Sequence, residues 1–301
     1  MTNIKKLGLT ALAGSLVATS GFAGALDVTG TAKVTYASLD ESEVTGNPWS
    51  MSQGIGFAGS GDLDIGTLSY TYTSTNMAFS SSNLKLDMGD NGTLSFANGA
   101  SLTGMQANYD KMPTAGEQVY DDVDATDNGM ADNVSNANML GYNGSFGGLT
   151  VSLGWAKDTG GADSSWAVEY PDLIDGMTIG FSMGENGASS DDTSAWVKYT
   201  SGAITAAWQR SEVDYVASGT NDEESNHIGL SFAMNDSLTV SVGRQEVDMG
   251  AGKVDEESTG VAASYTMGSM TVAAHSNKTD DVGGTSGSED SVTEVSVAFA
   301  F

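Results

Sequence analysis

The chain has 301 residues and no cysteine, which excludes disulfides, thiolate metal sites and cysteine nucleophiles. Its 39 acidic residues against 11 Lys and Arg give a formal net charge of -28, which repels phosphate and excludes nucleic acid as a partner. Glycine is abundant at 39 residues and proline scarce at 3, a balance that suits strands and tight turns better than helices.

Residues 1–23 read as an export signal. Lys5 and Lys6 supply the positive start, Leu7 to Val17 the apolar stretch, and Gly21-Phe22-Ala23 the small residues of a cleavage site after Ala23. Removing this segment leaves 39 acidic against 9 basic residues, a net of -30. No later segment approaches the ~18 consecutive apolar residues of a membrane-spanning helix. If residues 24–301 enter a membrane, they do so as a closed barrel, because only closure leaves no backbone edge unpaired in lipid.

The mature chain opens with Leu26-Asp-Val28-Thr-Gly30-Thr-Ala32-Lys-Val34-Thr-Tyr36, apolar or small at even positions and polar at odd ones. Successive side chains of a strand point to opposite faces, so this is a strand with one apolar and one polar face. Its length suits a tilted crossing of a bilayer, which needs ~9–11 residues. The same alternation recurs at Trp49–Phe57, Leu68–Tyr72, Leu84–Met88, Leu94–Phe96, Leu140–Tyr142, Leu149–Trp155 and Trp166–Tyr170. It continues at Met177–Met183, Ala195–Tyr199, Ile204–Trp208, Ile228–Met234, Leu238–Val242, Val261–Tyr265, Met270–Ala274 and Val295–Phe301, about 16 strands in all. Short turns rich in Gly, Asn and Asp alternate with long polar connections such as Ala37–Pro48, Ser211–Glu224, Gln245–Glu257 and Asn277–Asp290. That asymmetry is the one expected of outer-membrane barrels. The three prolines, Pro48, Pro113 and Pro171, are all expected in connections, where a missing ladder donor costs nothing.

The expected fold is therefore all-β, a closed antiparallel transmembrane β-barrel. An exported soluble acidic β-protein, a calcium- or glycan-binding surface protein or adhesin, would alternate in the same way. Aromatic residues at strand ends (Tyr36, Trp49, Trp155, Tyr170, Tyr199, Trp208, Phe299, Phe301) favour the barrel, since interfacial girdles place them there.

Over its whole length the chain resembles the general porins of Gram-negative bacteria, in particular the alphaproteobacterial ones. The resemblance rests on the export signal, the Gly24-Ala-Leu-Asp-Val-Thr-Gly30 start and the terminal Val295-Ser-Val-Ala-Phe-Ala-Phe301. It implies an outer-membrane channel for passive diffusion of small hydrophilic solutes and ions, usually a homotrimer of 16-stranded barrels. It also implies contact with outer-membrane lipid and lipopolysaccharide, and recognition by the barrel-assembly machinery through Phe301. In that family the third long loop folds into the lumen as a constriction; here the longest connection, 97–138, follows the fifth strand and takes that place. Its acids are Asp110, Glu117, Asp121, Asp122, Asp124, Asp127 and Asp132. The family sets a cluster of basic residues opposite such acids, and this chain departs from that. Alternation puts only Lys33, Lys85 and Lys198 on the lumen face, with Arg210 and Arg244 on the other parity. A predominantly negative, cation-preferring pore is expected, since rings of Asp and Glu favour cations.

Other chemistry finds little support. Asp124, Thr126 and Asn128, with Gly129 sixth, partly match the start of a calcium loop, but position twelve is Ser135, so the bidentate ligand is missing. The runs Asp222-Glu-Glu224, Asp255-Glu-Glu257 and Glu289-Asp290 read as solvated loop charge able to bridge divalent cations to lipopolysaccharide. His227 and His275 share lumen parity but give no zinc spacing. No serine is singled out as a nucleophile, no phosphate-binding loop is present, and neither enzymatic activity nor an organic cofactor is expected.

Overall fold

A computed structural model describes residues 26–39, 47–99, 103–121, 123, 129–131, 138–158, 161–187, 189–217, 222–250 and 252–301. The expected export segment 1–23 lies outside the described residues, as do Asp122, Asp124, Thr126, Asp127, Asn128 and Asp132.

The first eight strands are β1 (Leu26–Leu39), β2 (Trp49–Leu63), β3 (Gly66–Thr75), β4 (Ala78–Asp87), β5 (Thr93–Asn98), β6 (Met139–Phe146), β7 (Leu149–Asp158) and β8 (Gly161–Ile174). The second eight are β9 (Met177–Asn186), β10 (Ser190–Ser201), β11 (Ile204–Tyr215), β12 (Glu223–Ala233), β13 (Leu238–Asp248), β14 (Glu256–Met267), β15 (Met270–Asp280) and β16 (Glu289–Ala300). Each pairs antiparallel with its sequence neighbours, and β1 pairs with β16, so the sheet is a closed 16-stranded barrel. Among the described residues no helix is long and apolar enough to cross a membrane.

The barrel is built inside out. Val34, Met51, Ile55, Leu84, Phe96, Leu140, Trp155 and Val261 are exposed on its outer face, whereas Ser152, Ser182, Ser194, Gln209, Ser225, Gln245 and Thr279 are buried inside. Period-two alternation forces this split, since one parity of every strand must face out. Outer aromatics pair across strands: Tyr36 meets Trp49 edge-on at 5.1 Å, and Trp166 lies 5.6 Å from Phe181. Tyr70, Tyr170, Tyr199, Tyr265 and Phe299 mark the level of the short turns, so both margins of the apolar belt carry rings.

The structure differs from expectation in two respects. Pro171 is inside β8 and not in a connection; it sits where the β8–β9 register shifts between Tyr170 and Ile174, a bulge that frees proline from donating to the ladder. The long connections are shorter than the polar runs suggested, because β11, β13 and β15 continue to Tyr215, Asp248 and Asp280. Their outer faces turn charged there, so apolar alternation stops before the strand does. Arg210 is bound by Glu212 at 2.8 Å and Glu224 at 2.5 Å, Arg244 by Glu246 at 3.0 Å and Glu257 at 2.6 Å, and Lys278 by Asp280 at 2.7 Å and Glu289 at 3.3 Å. Glu224, Glu257 and Glu289 thus serve as cross-strand ion-pair partners on the outside of the wall.

The seam that closes the sheet is tightened by the last residue. Phe301 N donates to Gly30 O at 2.9 Å, and Gly30 N to Phe301 O at 2.6 Å. The phenyl ring lies over Gly30, where a Cβ would sit 2.5 Å from Phe301 Cε2. Gly30→Val is therefore expected to displace the exposed ring and loosen the seam, read as a modestly lower urea midpoint for protein folded into lipid vesicles.

Candidate pore constriction

The described part of the connection between β5 and β6 lies along the inner wall. That part, of which 103–121 is the longest stretch, takes its partners from inward-facing side chains of successive strands and, on β9, from a backbone carbonyl. Gly104 N donates to Ser152 Oγ on β7 at 2.8 Å and Met105 N to Ser165 Oγ on β8 at 3.0 Å. Asn108 Nδ2 donates to Phe181 O on β9 at 3.2 Å, and Lys111 N to Gln209 Oε1 on β11 at 3.0 Å. Ala115 N meets Ser241 Oγ on β13 at 2.8 Å, and Asn277 Nδ2 on β15 reaches Gln118 O at 2.8 Å. Ser225 Oγ on β12 holds Gly129 O at 2.7 Å. A loop inside a barrel has no strand partners for its backbone, so Ser, Asn and Gln of the wall supply them.

An apolar cluster anchors the root of the loop: Met105, Ala131, Met139, Ala156 and Val213, with Tyr215 against it. Beyond it the loop carries charge. Glu117 Oε1 lies 2.9 Å from Lys33 Nζ, which is also 3.1 Å from Glu294 Oε1 on β16. Lys111 Nζ lies 3.3 Å from Glu169 Oε2 on β8 and 5.0 Å above the Trp196 ring. Gly180 leaves the space into which the Trp196 indole lies. Lys198 stands within electrostatic reach of Lys111, Asp110 and Glu169.

The expected site residues thus have different fates. Lys33 and Glu117 are brought into one ion pair, and Lys198 joins Asp110 through the field around Lys111. Asp110 is used by the loop itself: it accepts from Met112 N at 2.7 Å, Gln118 Nε2 at 2.6 Å and Tyr120 Oη at 2.8 Å. Burial, and after it the Asp110 carboxylate, push the Tyr120 phenol well above its ordinary pKa, so it stays protonated and donates. Asp121 Oδ2 accepts from Gln118 N at 2.9 Å. Lys85 on β4 is exposed on the far wall, with no ion-pair partner among the described residues. The two histidines are buried: His227 meets the Tyr120 ring edge-on at 6.0 Å, and His275 is opposite Glu294 in the ladder. Among the described residues no group of acids and histidines has the arrangement of a metal site.

Sequence reasoning missed Lys111, Glu169, Trp196 and Glu294. Parity marks the last three as inward, but only the course of the loop brings them to it.

A closed 16-strand barrel with an apolar outer belt, a polar interior and a loop on its inner wall is the architecture of a transmembrane β-barrel of the porin fold. No protein-family model and no curated protein matches the chain in sequence. Solved structures match in fold. A variant of the Rhodobacter blastica porin is 14% identical with a TM-score of 0.64, over 92% of this chain and 100% of that one. The anion-selective porin of Comamonas acidovorans is 15% identical with a TM-score of 0.68, over 92% and 100%. OmpT, an outer membrane protein of Vibrio cholerae, is 13% identical with a TM-score of 0.66, over 92% and 98%.

Lys33 bridges two carboxylates, Glu117 and Glu294, at partial exposure. Lys33→Met is expected to leave both uncompensated and make current through the barrel more cation-selective. A unit charge ~4 Å away is worth about 1 kcal/mol in water, so the permeability ratio should rise by up to roughly fivefold. The check is the reversal potential under a KCl gradient.

Proposed function

We propose that this protein is an outer-membrane porin, a water-filled channel for passive diffusion of small hydrophilic solutes and ions, with a preference for cations. The observation that carries the reading is the inversion of the barrel: large apolar side chains exposed around the outside, Ser, Thr and Gln turned inward. The same belt counts against a soluble exported protein, since an apolar surface running round the whole barrel needs lipid to cover it. On this reading residues 1–23 are the export signal, Phe301 is the mark read by the assembly machinery, and the barrels associate as a homotrimer among lipid and lipopolysaccharide. The loop between β5 and β6 is the constriction, and diffusion past it involves no chemical step. A calcium ion at Asp124, Thr126 and Asn128 stays a proposal of lower rank, because the bidentate position is Ser135.

The fold does not set the sign of selectivity, since a neighbour of the same fold is described as anion-selective. Side chains decide it. Around the described loop the charges compensate in part: Lys33, Lys111 and Lys198 stand beside Glu117, Glu294, Glu169 and Asp110. The excess of acid lies instead toward both ends of the barrel, at Asp191, Asp214, Asp222, Asp248, Asp255 and Asp281 by the long connections and at Asp62, Asp64, Asp87, Asp90, Asp172, Asp175 and Asp236 by the short turns. Cation preference then arises in good part as a surface potential at the mouths of the barrel. Mouth charge acts over a Debye length, ~10 Å at 0.1 M salt and ~3 Å at 1 M.

Planar-bilayer recording tests both parts. The folded protein is expected to insert in conductance steps, with a clear cation-side reversal potential near 0.1 M KCl that largely disappears near 1 M. Absence of steps from folded, inserted protein would overturn the channel reading. A preference that survives high salt would place the selectivity at the constriction.

A further inference from the structure

Mid-strand glycines form two rows on the inner wall, and the loop lies in both. Gly229 on β12, Gly243 on β13 and Gly260 on β14 are directly opposite one another in the ladder. A Cβ at Gly229 would sit 2.8 Å from Pro113 Cδ, one at Gly243 2.8 Å from Val119 Cγ1, and one at Gly260 3.2 Å from that same methyl. The second row runs from Gly141 on β6 through Gly154 on β7 and Ser165 on β8 to Gly184 on β9. There a Cβ at Gly141 would meet Thr103 Cγ2 at 2.5 Å, and one at Gly184 would lie 3.3 Å from Met105 Sδ.

None of these glycines has a positive φ, so backbone conformation does not call for them. Glycine weakens a strand interior, and its use there marks a close approach of something else. What approaches is the loop, Thr103 and Met105 at one row and Pro113 and Val119 at the other, with Met139 of β6 over Gly154. The fit is close, since the space left between Pro113, Val119 and the first row is about 20 Å³. Asn277, next to Gly260 in the ladder, adds hydrogen bonds to Gln118 O at 2.8 Å and Asp121 O at 3.2 Å.

We propose that the two glycine rows are a built-in seat that holds the loop against the wall from β6 to β15. The width of the passage is then set by the depth of the seat, and the loop is a fixed constriction, not a moving gate. The passage runs on the other side of the loop, along the inward faces of β2 to β4, where the hydroxyls of Ser69 and Thr71 stand beside Lys85. This inference rests on the porin reading above.

The test uses the full chain, refolded or extracted in its folded form. Gly243→Ala pushes Val119 off the wall into the passage and is expected to lower single-channel conductance roughly twofold or more, because an added methyl in a filled site moves its neighbours. Val119→Ala in the same chain should restore it. Val119→Leu overfills the seat from the loop side and should act like Gly243→Ala, which keeps the test open if the glycine variant does not fold. Folded Gly243→Ala protein with unchanged conductance, or failure of Val119→Ala to restore it, would overturn the seat. The absence of native cysteine allows a second readout that needs no current. Ala115→Cys with Ser241→Cys, at positions now joined by a 2.8 Å hydrogen bond, should cross-link readily. Ala115→Cys with Ser69→Cys on the opposite wall should not. Equal cross-linking of the two pairs would overturn the seat, whereas folded, inserted protein that cross-links as expected but conducts nothing would overturn the porin reading alone.

Discussion

Closure of the sheet is the constraint from which the rest of this structure follows. In an apolar surrounding an unpaired strand edge leaves a row of N–H and C=O groups without partners, and joining β1 to β16 removes both edges at once. The seam is completed at Gly30 and Phe301, where a missing side chain admits the last ring. Once the sheet closes, every strand has one face toward the lumen and one away from it. Period-two alternation then fixes which residues line each side, and a register slip of one residue would reverse them all.

Closure also creates the interior problem that the loop between β5 and β6 resolves. A lumen lined by Ser, Gln and Asn holds many donors and acceptors, and a loop entering it brings backbone groups of its own. The two sets satisfy each other, at Ser152, Ser165, Gln209, Ser241 and Asn277. Side chains that serve solubility on a surface here replace a missing strand. The charged groups follow the same logic. Lys33 and Lys111 spend their charge on Glu117, Glu294 and Glu169, and Asp110 spends its lone pairs on the loop's own donors. A large formal charge on a chain therefore does not give the field at any one place, because packing pairs part of the charge with its opposite.

The strands were legible for a local reason. Each sets its own alternation within ten or so residues, and turn residues such as Gly147-Gly148 and Gly202 punctuate them. Misreadings arose where that local signal fails. Charged outer faces continue β11, β13 and β15 past the end of the apolar pattern, and a bulge admits Pro171 into β8. The glycine count suits strands and tight turns alike, and only the structure shows what Gly229, Gly243 and Gly260 do within their strands. Their role depends on what lies above them, not on their own dihedral angles.

By itself, then, the sequence determined the all-β class, the number of strands, the face on which each residue lies and the place of the long loop. These depend on neighbours two to ten positions away. The tertiary structure alone decided the course of that loop, the ion pairs of Lys33 and Lys111, and the glycine rows beneath it. Those contacts join residues far apart in the chain, 98 for Lys111 with Gln209, 126 for Ala115 with Ser241 and 159 for Gln118 with Asn277. No short-range periodicity encodes such pairs; they exist only once closure has brought the strands around a common lumen.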